Sequence, residues 1–232
     1  MLVLRHVEAG YGPARVLHGV SLRVDAGEIV CLLGSNGAGK TTTLLTILGL
    51  LKPTSGSVEF LDQQIDGLET ADIVRRGIAI VPEGRRVFGS MSVEENLKIA
   101  AAVCGRSGAD RSSYEMVFDL FPDLAGRKQQ LAGTMSGGQQ QMLAIARALV
   151  TGPRLILMDE PSMGLSPVMA EKVFDIISRI STRGVAVLLV EQNAYTALDV
   201  ATRGYVMQAG MIVLENDAER LRESELVREA YL

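Results

Sequence analysis

Gly34-Ser35-Asn36-Gly37-Ala38-Gly39-Lys40-Thr41-Thr42 decides the fold. Before it stands Ile29-Val30-Cys31-Leu32-Leu33, an apolar run of strand length, and after it Thr43-Leu44-Leu45-Thr46-Ile47-Leu48, which reads as helix. That order builds an anion cradle. Glycines let the chain leave a buried strand in a tight turn, so that successive N–H groups and the positive end of the next helix dipole converge on one phosphate. The stretch satisfies GxxxxGK[ST], in which Lys40 is a point charge for the β- and γ-phosphates and the Thr41 hydroxyl is a magnesium ligand. A Gly-rich turn that matches by accident is the alternative, and the strand–loop–helix setting argues against it.

Outward from the cradle the chain alternates between strand and helix after a β-rich start. Leu2 to Val7 and Val20 to Val24 read as strands, and Ser57 to Leu61 as another after the turn Lys52-Pro53-Thr54-Ser55-Gly56. Ile78-Ala79-Ile80-Val81 is a short buried strand closed by Pro82. From Ser92 the period becomes helical: Ser92-Val93-Glu94-Glu95 is a capping box for a helix running towards Val103. Ser112 to Phe121 and Gly138 to Val150 give two more helices. Arg154 to Asp159 and Val185 to Val190 are apolar parallel-sheet strands, separated by a helix from Pro167 towards Arg183. The expected architecture is one α/β domain over residues 1–232, a mostly parallel sheet flanked by helices with an antiparallel N-terminal portion. A helical subdomain is inserted at about residues 90–150.

Composition sets outer limits. In 232 residues with 47% hydrophobic content, one large core with an appended subdomain is expected rather than two independent domains. The net charge of −4 argues against nucleic acid as main partner, because phosphate-backbone binding usually requires a basic face. The apolar runs Gly184 to Val190 and Leu155 to Met158 are far shorter than a membrane span. The start carries no export signal, so a cytoplasmic location is expected. Cys31 and Cys104 lie in different elements without CxxC spacing, which suits two free thiols, Cys31 as a small core residue.

Two further constellations carry chemistry. Leu155-Ile156-Leu157-Met158-Asp159-Glu160 is a buried strand ending in paired carboxylates. Downstream of a phosphate loop, that arrangement puts Asp159 near magnesium and lets Glu160 polarise a water for in-line attack on the γ-phosphate. Met135-Ser136-Gly137-Gly138-Gln139 opens a helix with a hydroxyl and free N–H groups expected to point outward at its positive end, a second anion site. On its own, a plain N-cap after a loop is the better reading. Two phosphate-binding helix starts in one chain need either two ligands or a dimer in which each chain completes the other's site, and the dimer is the better explanation.

In this order the motifs resemble the ATP-binding cassette ATPases, over essentially the whole chain. Gly34 to Thr42 is similar to the Walker A segment, Met135 to Gln139 to the signature usually written LSGGQ, Leu155 to Asp159 to Walker B, and Glu160 to the catalytic glutamate. Tyr11, in Gly10-Tyr11-Gly12, matches the aromatic that stacks on adenine. The resemblance implies that ATP is contacted by Tyr11, Asn36, Gly37, Ala38, Gly39, Lys40, Thr41 and Thr42. Ser136, Gly138 and Gln139 would close over the nucleotide of a second cassette.

Three departures narrow the likeness. The magnesium-contacting glutamine of the family is Glu83 here, the switch histidine is Gln192, and Leu165 stands where an aspartate is usual in the segment after Walker B. The two histidines, His6 and His18, lie far from that switch in sequence. With Pro82-Glu83-Gly84-Arg85-Arg86-Val87-Phe88, Val190-Glu191-Gln192-Asn193-Ala194, the helix after the signature and the ending Ala230-Tyr231-Leu232, the chain is most similar to ATPase subunits of branched-chain amino acid importers. That likeness implies ATP and Mg2+ as ligands, with Thr41, Glu83 and Asp159 on the metal and Glu160, Lys40 and Gln192 in catalysis. It also implies a second ATPase subunit, two transmembrane permease subunits and a periplasmic or surface-tethered substrate-binding protein, with this chain peripheral on the cytoplasmic face of the membrane. A homodimer in isolation is compatible with it. Importers of urea or short amides, and a cassette that chiefly clamps nucleotide for regulation, remain alternatives. A cassette acting on nucleic acid would be expected to carry a coiled-coil insertion or two cassettes in one chain.

Overall fold

The computed structural model describes residues 1–103 and 111–231. It opens with a hairpin of β1 (Leu2–Tyr11) and β2 (Ala14–Val24), turning at Gly12. β3 (Ile29–Leu33) runs through the glycine loop into α1 (Lys40–Ile47), followed by β4 (Ser55–Phe60), β5 (Gln63–Gln64), α2 (Thr70–Arg75) and β6 (Ile78–Val81). The helices α3 (Val93–Val103), α4 (Arg111–Leu120), α5 (Pro122–Ala125) and α6 (Gly137–Leu149) come next, with a 3₁₀ turn at Ala132–Thr134 before the last. The chain then alternates through β7 (Leu155–Asp159), α7 (Pro167–Ser181), β8 (Ala186–Glu191) and α8 (Ala194–Val200). It ends in the hairpin β9 (Arg203–Gln208) and β10 (Met211–Asp217) and the short helices α9 (Ala218–Glu223) and α10 (Glu225–Tyr231).

Two sheets result. One has four strands in the order β2-β1-β4-β5, antiparallel in every pairing. The other has six in the order β10-β9-β3-β8-β7-β6, parallel except for the edge strand β10. Its central strands β3, β7 and β8 are apolar up to the terminal Asp159 and Glu191 because both faces are covered. On β3, Ile29, Cys31 and Leu33 enter a core shared with the helices, whereas Val30 and Leu32 enter one shared with α1 and the antiparallel sheet. On β7, Ile156 and Met158 face the first core and Leu155 and Leu157 the second. A period of two across two apolar layers leaves no polar face to alternate with. The Cys31 thiol is packed in this core and burial pushes its pKa up to about 12, so it is unreactive. Cys104 and Leu232 lie outside the described residues.

The predicted capping box before α3 is present: Ser92 N–H donates to Glu95 Oε2 at 2.7 Å, and Glu95 N–H donates to Ser92 Oγ at 3.2 Å. The N-terminal strands are longer than their sequence pattern. β1 continues past Val7 to Tyr11 and β2 begins at Ala14 rather than Val20, with bulges that break the alternation of side chains. Because all the parallel strands of the six-stranded sheet point the same way, the loops after β3, β6, β7 and β8 gather at one edge. The carboxyl ends of such strands are where α/β sheets place their ligands.

Candidate active site

β3 delivers the chain to the glycine loop, and α1 starts from Gly39, which has φ 111 and offers no side-chain cap. A residue with a Cβ would be strained there, and its Cβ would stand 3.1 Å from Leu17. The first-turn N–H groups of α1 have no intrahelical acceptors, so an uncapped start leaves them available to an anion. Lys40 is 5% exposed. Its Nζ donates to the carbonyls of Gly34 (2.7 Å) and Ser35 (3.1 Å) and pairs with Glu160 Oε1 at 3.3 Å.

Asp159 ends β7 and accepts the Thr41 hydroxyl at 2.9 Å. Burial pushes its pKa up, an effect reinforced by the nearby carboxylates Glu160 and Glu83 and opposed by Thr41 and Lys40. Glu160 follows in the left-handed region, φ 47, with its N–H on the Val190 carbonyl at 2.9 Å. A buried carboxylate raised by two others, beside a hydroxyl oxygen, is a donor set that a hard divalent cation would relieve. Among the described residues no three His, Cys, Asp or Glu groups are arranged to hold a metal alone.

An open cleft of about 430 Å³ brings Asn36, Gly37, Gly39, Lys40, Thr41, Thr42, Glu83 and Glu160 together, with Asp159 joined through Thr41. Val16 and Met163 also line it, and the sequence patterns had singled out neither. Val16 gives no signal beyond a β2 position; Met163 follows from its place three residues after Glu160. Glu83 lies on a loop fastened to its surroundings. Arg86 Nε donates to the Glu83 carbonyl at 3.3 Å, Arg147 donates to the Arg86 carbonyl at 2.6 Å and lies 4.5 Å over the Phe88 ring, and the buried Asn96 bonds both the N–H and the carbonyl of Phe88.

Other candidates lie elsewhere. Ala38 is buried, its carbonyl accepting the Gly210 N–H at 2.8 Å. Tyr11 is half exposed at the end of β1, and Gln192 is exposed just after β8; neither lines the cleft. Ser136, Gly138 and Gln139 do not line it either; Ser136 and Gln139 border a separate groove with α5 and α7. The start of α6 also differs from the expectation of free outward-pointing groups. Ser136 Oγ accepts the Gln139 N–H and Gln139 Oε1 accepts the Ser136 N–H, a reciprocal capping box. The hydroxyl proton of Ser136 remains to be donated. The two glycines have a packing reason as well: a Cβ would stand 2.6 Å from the Arg85 guanidinium at Gly137 and 2.5 Å from Met169 at Gly138.

A parallel sheet whose carboxyl edge carries an uncapped glycine loop, a lysine, a threonine–aspartate contact and an adjoining glutamate defines a P-loop nucleotide hydrolase. The chain belongs to the ABC transporter family, whose profile matches residues 17–163, and it is an ATPase whose ATP hydrolysis is coupled to transport. It is 47% identical, over 100% of its length and 99% of the relative's, to the high-affinity branched-chain amino acid transport ATP-binding protein BraG of Pseudomonas aeruginosa. It is 36% identical, over 97% and 95%, to the probable branched-chain amino acid transport ATP-binding protein LivF of Archaeoglobus fulgidus. Among solved structures, the ADP conformation of MJ1267, an ATP-binding cassette of an ABC transporter, superposes with a TM-score of 0.88 at 28% identity, covering 99% of this chain and 97% of the other. Among the described residues no helix is long and apolar enough to cross a membrane.

Proposed function

We propose that this chain is the ATPase subunit of a branched-chain amino acid importer. It binds ATP and Mg2+ in the cleft at Lys40 and sits on the cytoplasmic face of the membrane through two permease subunits. A second ATPase subunit and a substrate-binding protein complete the assembly, and residues 90–150 form the subdomain facing the permeases. The meeting of Lys40, Thr41, Glu83, Asp159 and Glu160 at one sheet edge carries the chemistry. The full-length likeness to branched-chain transport proteins carries the substrate class.

The loop N–H groups and Lys40 take the β- and γ-phosphates. Lys40 exchanges its contacts with Gly34, Ser35 and Glu160 for phosphate oxygens, which frees the Glu160 carboxylate. Thr41, Asp159 and Glu83 would hold Mg2+, which when bound would supply positive charge to offset that of the phosphates. Glu160 orients a water in line with the γ-phosphorus and accepts its proton. The new P–O bond forms as the bond to the bridging oxygen breaks, and ADP departs with the electron pair. Gln192 donates a neutral hydrogen bond to the γ-phosphate in place of an imidazole.

The start of α6 lies outside this cleft, which supports Ser136, Gly138 and Gln139 serving the nucleotide of a facing cassette; the family likeness assigns Tyr11, half exposed at the end of β1, to the adenine. A regulatory clamp is the second reading, favoured by Gln192 in the place of a histidine. The deciding experiment is reconstitution of the chain with its permeases and second ATPase subunit in vesicles. Binding protein loaded with leucine, isoleucine or valine accelerates ATP hydrolysis, and Glu160→Gln cuts turnover on the order of a hundredfold while Mg-ATP still binds. Stimulation by urea instead would reassign the substrate, and full activity of Gln192→Ala would favour the clamp.

A further inference from the structure

We infer that Glu191 is a positioning residue for ATP hydrolysis, its buried carboxyl tying the loop after Glu160 to the end of β8, next to the switch position Gln192. This rests on the reading of Glu160 as the base. Glu191 is the last residue of β8, in the middle of the six-stranded sheet, and it is 2% exposed. In the parallel register Asp159 is opposite Val190, which puts Glu191 one step further along, beside the turn that carries Glu160. Its Oε1 accepts the Ser162 N–H at 3.1 Å, and Gln192 follows it directly in the chain.

The turn it holds needs holding. Glu160 occupies the left-handed region at φ 47, a conformation that a residue with a Cβ keeps only where its surroundings over-determine it. Val190 fixes Glu160 through the bond to its N–H, and Glu191 fixes Ser162 two residues on. From Ser162 the loop closes through Leu165 N–H on the Ser162 carbonyl, and Arg85 reaches the Gly164 carbonyl at 3.5 Å. One strand end thus sets both the base and the segment leading to α7.

A space-filling role does not account for a carboxyl here. Among the described residues no ion pair involves Glu191, and burying an unpaired acid is unfavourable where a leucine would fill the volume. What leucine cannot do is accept the Ser162 N–H. Glutamine can, because its amide oxygen occupies the same position.

The test uses the purified full chain, with steady-state ATP hydrolysis at varied Mg-ATP and hydrogen exchange at the Ser162 amide. Glu191→Leu is expected to lower kcat tenfold or more with KM for Mg-ATP changed less than twofold, and to speed Ser162 exchange at least tenfold. Glu191→Gln is expected to stay within threefold of the parent in kcat and to keep Ser162 protected. Glu191→Ala replaces the leucine variant if that one does not fold. The inference is overturned if Glu191→Leu keeps its kcat within twofold, if glutamine fails as badly as leucine, or if Ser162 exchange does not change. Glu160→Gln, run in parallel, separates the two readings. Undiminished turnover there overturns the base assignment and the positioning role with it, whereas an inactive Glu160→Gln beside a fully active Glu191→Leu overturns Glu191 alone.

Discussion

The starts of α1 and α6 are both framed by glycine, and they have solved opposite problems. At α1 the preceding residue is Gly39 in the left-handed region, no side chain caps the helix, and the first turn opens into the cleft. At α6 Ser136 and Gln139 cap one another, and Arg85 and Met169 pack on the glycines. On the proposed function, the helix end that receives phosphate is left unfinished by its own chain, and the one that faces a second cassette is finished internally, with the Ser136 O–H and the glycine N–H groups left to offer.

Lys40→Ala is expected to sharpen this contrast most. Mg-ATP at a hundredfold excess over its dissociation constant stabilises a single-site protein by about 2.7 kcal/mol. A thermal-shift titration should show that stabilisation lost in Lys40→Ala and kept in Ser136→Arg. Loss in both variants would mean that the two helix starts serve the same nucleotide within one chain.

The next effect is on pH. Burial raises the Glu191 carboxyl from its ordinary 4.5 to about 7. The folded chain therefore keeps a proton that the unfolded chain has released, so this group's contribution to stability falls as pH rises from 4.5 to about 7 and stays low above that. Asp159 is displaced in the same direction. The contribution of Glu191 is isolated by comparing the parent chain with Glu191→Gln, whose unfolding free energy by urea titration should lack about 3 kcal/mol of that decline.

Ser136→Ala removes a cap rather than a ligand-binding group of its own cleft. A loss of about 1 kcal/mol is expected in urea unfolding, with nucleotide-induced stabilisation unchanged. The smallest effects concern Gln192. Gln192→Ala should lower hydrolysis several-fold in the reconstituted transporter, and Gln192→His should keep activity and add an acidic limb near pH 6.5, the ordinary imidazole value. The rate–pH profile reads both.

The helix starts, the apolar strands β3, β7 and β8 and the capping box at Ser92 are legible because each rests on local chemistry: a glycine turn, a run buried on both faces, a serine with a glutamate three residues on. The hairpin of β9 and β10 is not. Its turn is Ala209-Gly210 with φ 45 and 77, and an alanine in that conformation hides the usual Asn-Gly or Gly-Gly signal. Arg203 further disguises β9, since its guanidinium is buried against Glu28 and Tyr205, a pairing that no local window reveals. The hairpin matters to the site, for Gly210 bonds Ala38 and His18 and so backs the phosphate loop from behind. Glu191 went unread for a related reason: an acid at a strand end looks solvated in sequence, and only the partner strand shows that it is enclosed.

The left-handed backbone of Glu160 sets this residue's proposed chemical duty against the chain's durability. Glycine suits φ 47 better than glutamate does, and the Gly34 and Ser35 carbonyls still hold Lys40 when its ion pair is gone, so Glu160→Gly should leave the resting fold intact or more heat-resistant while, on the proposed base role, ending turnover. A library of variants ranked by melting temperature alone would enrich inactive proteins at this position. A ranking by turnover would restore glutamate against the preference of its own backbone.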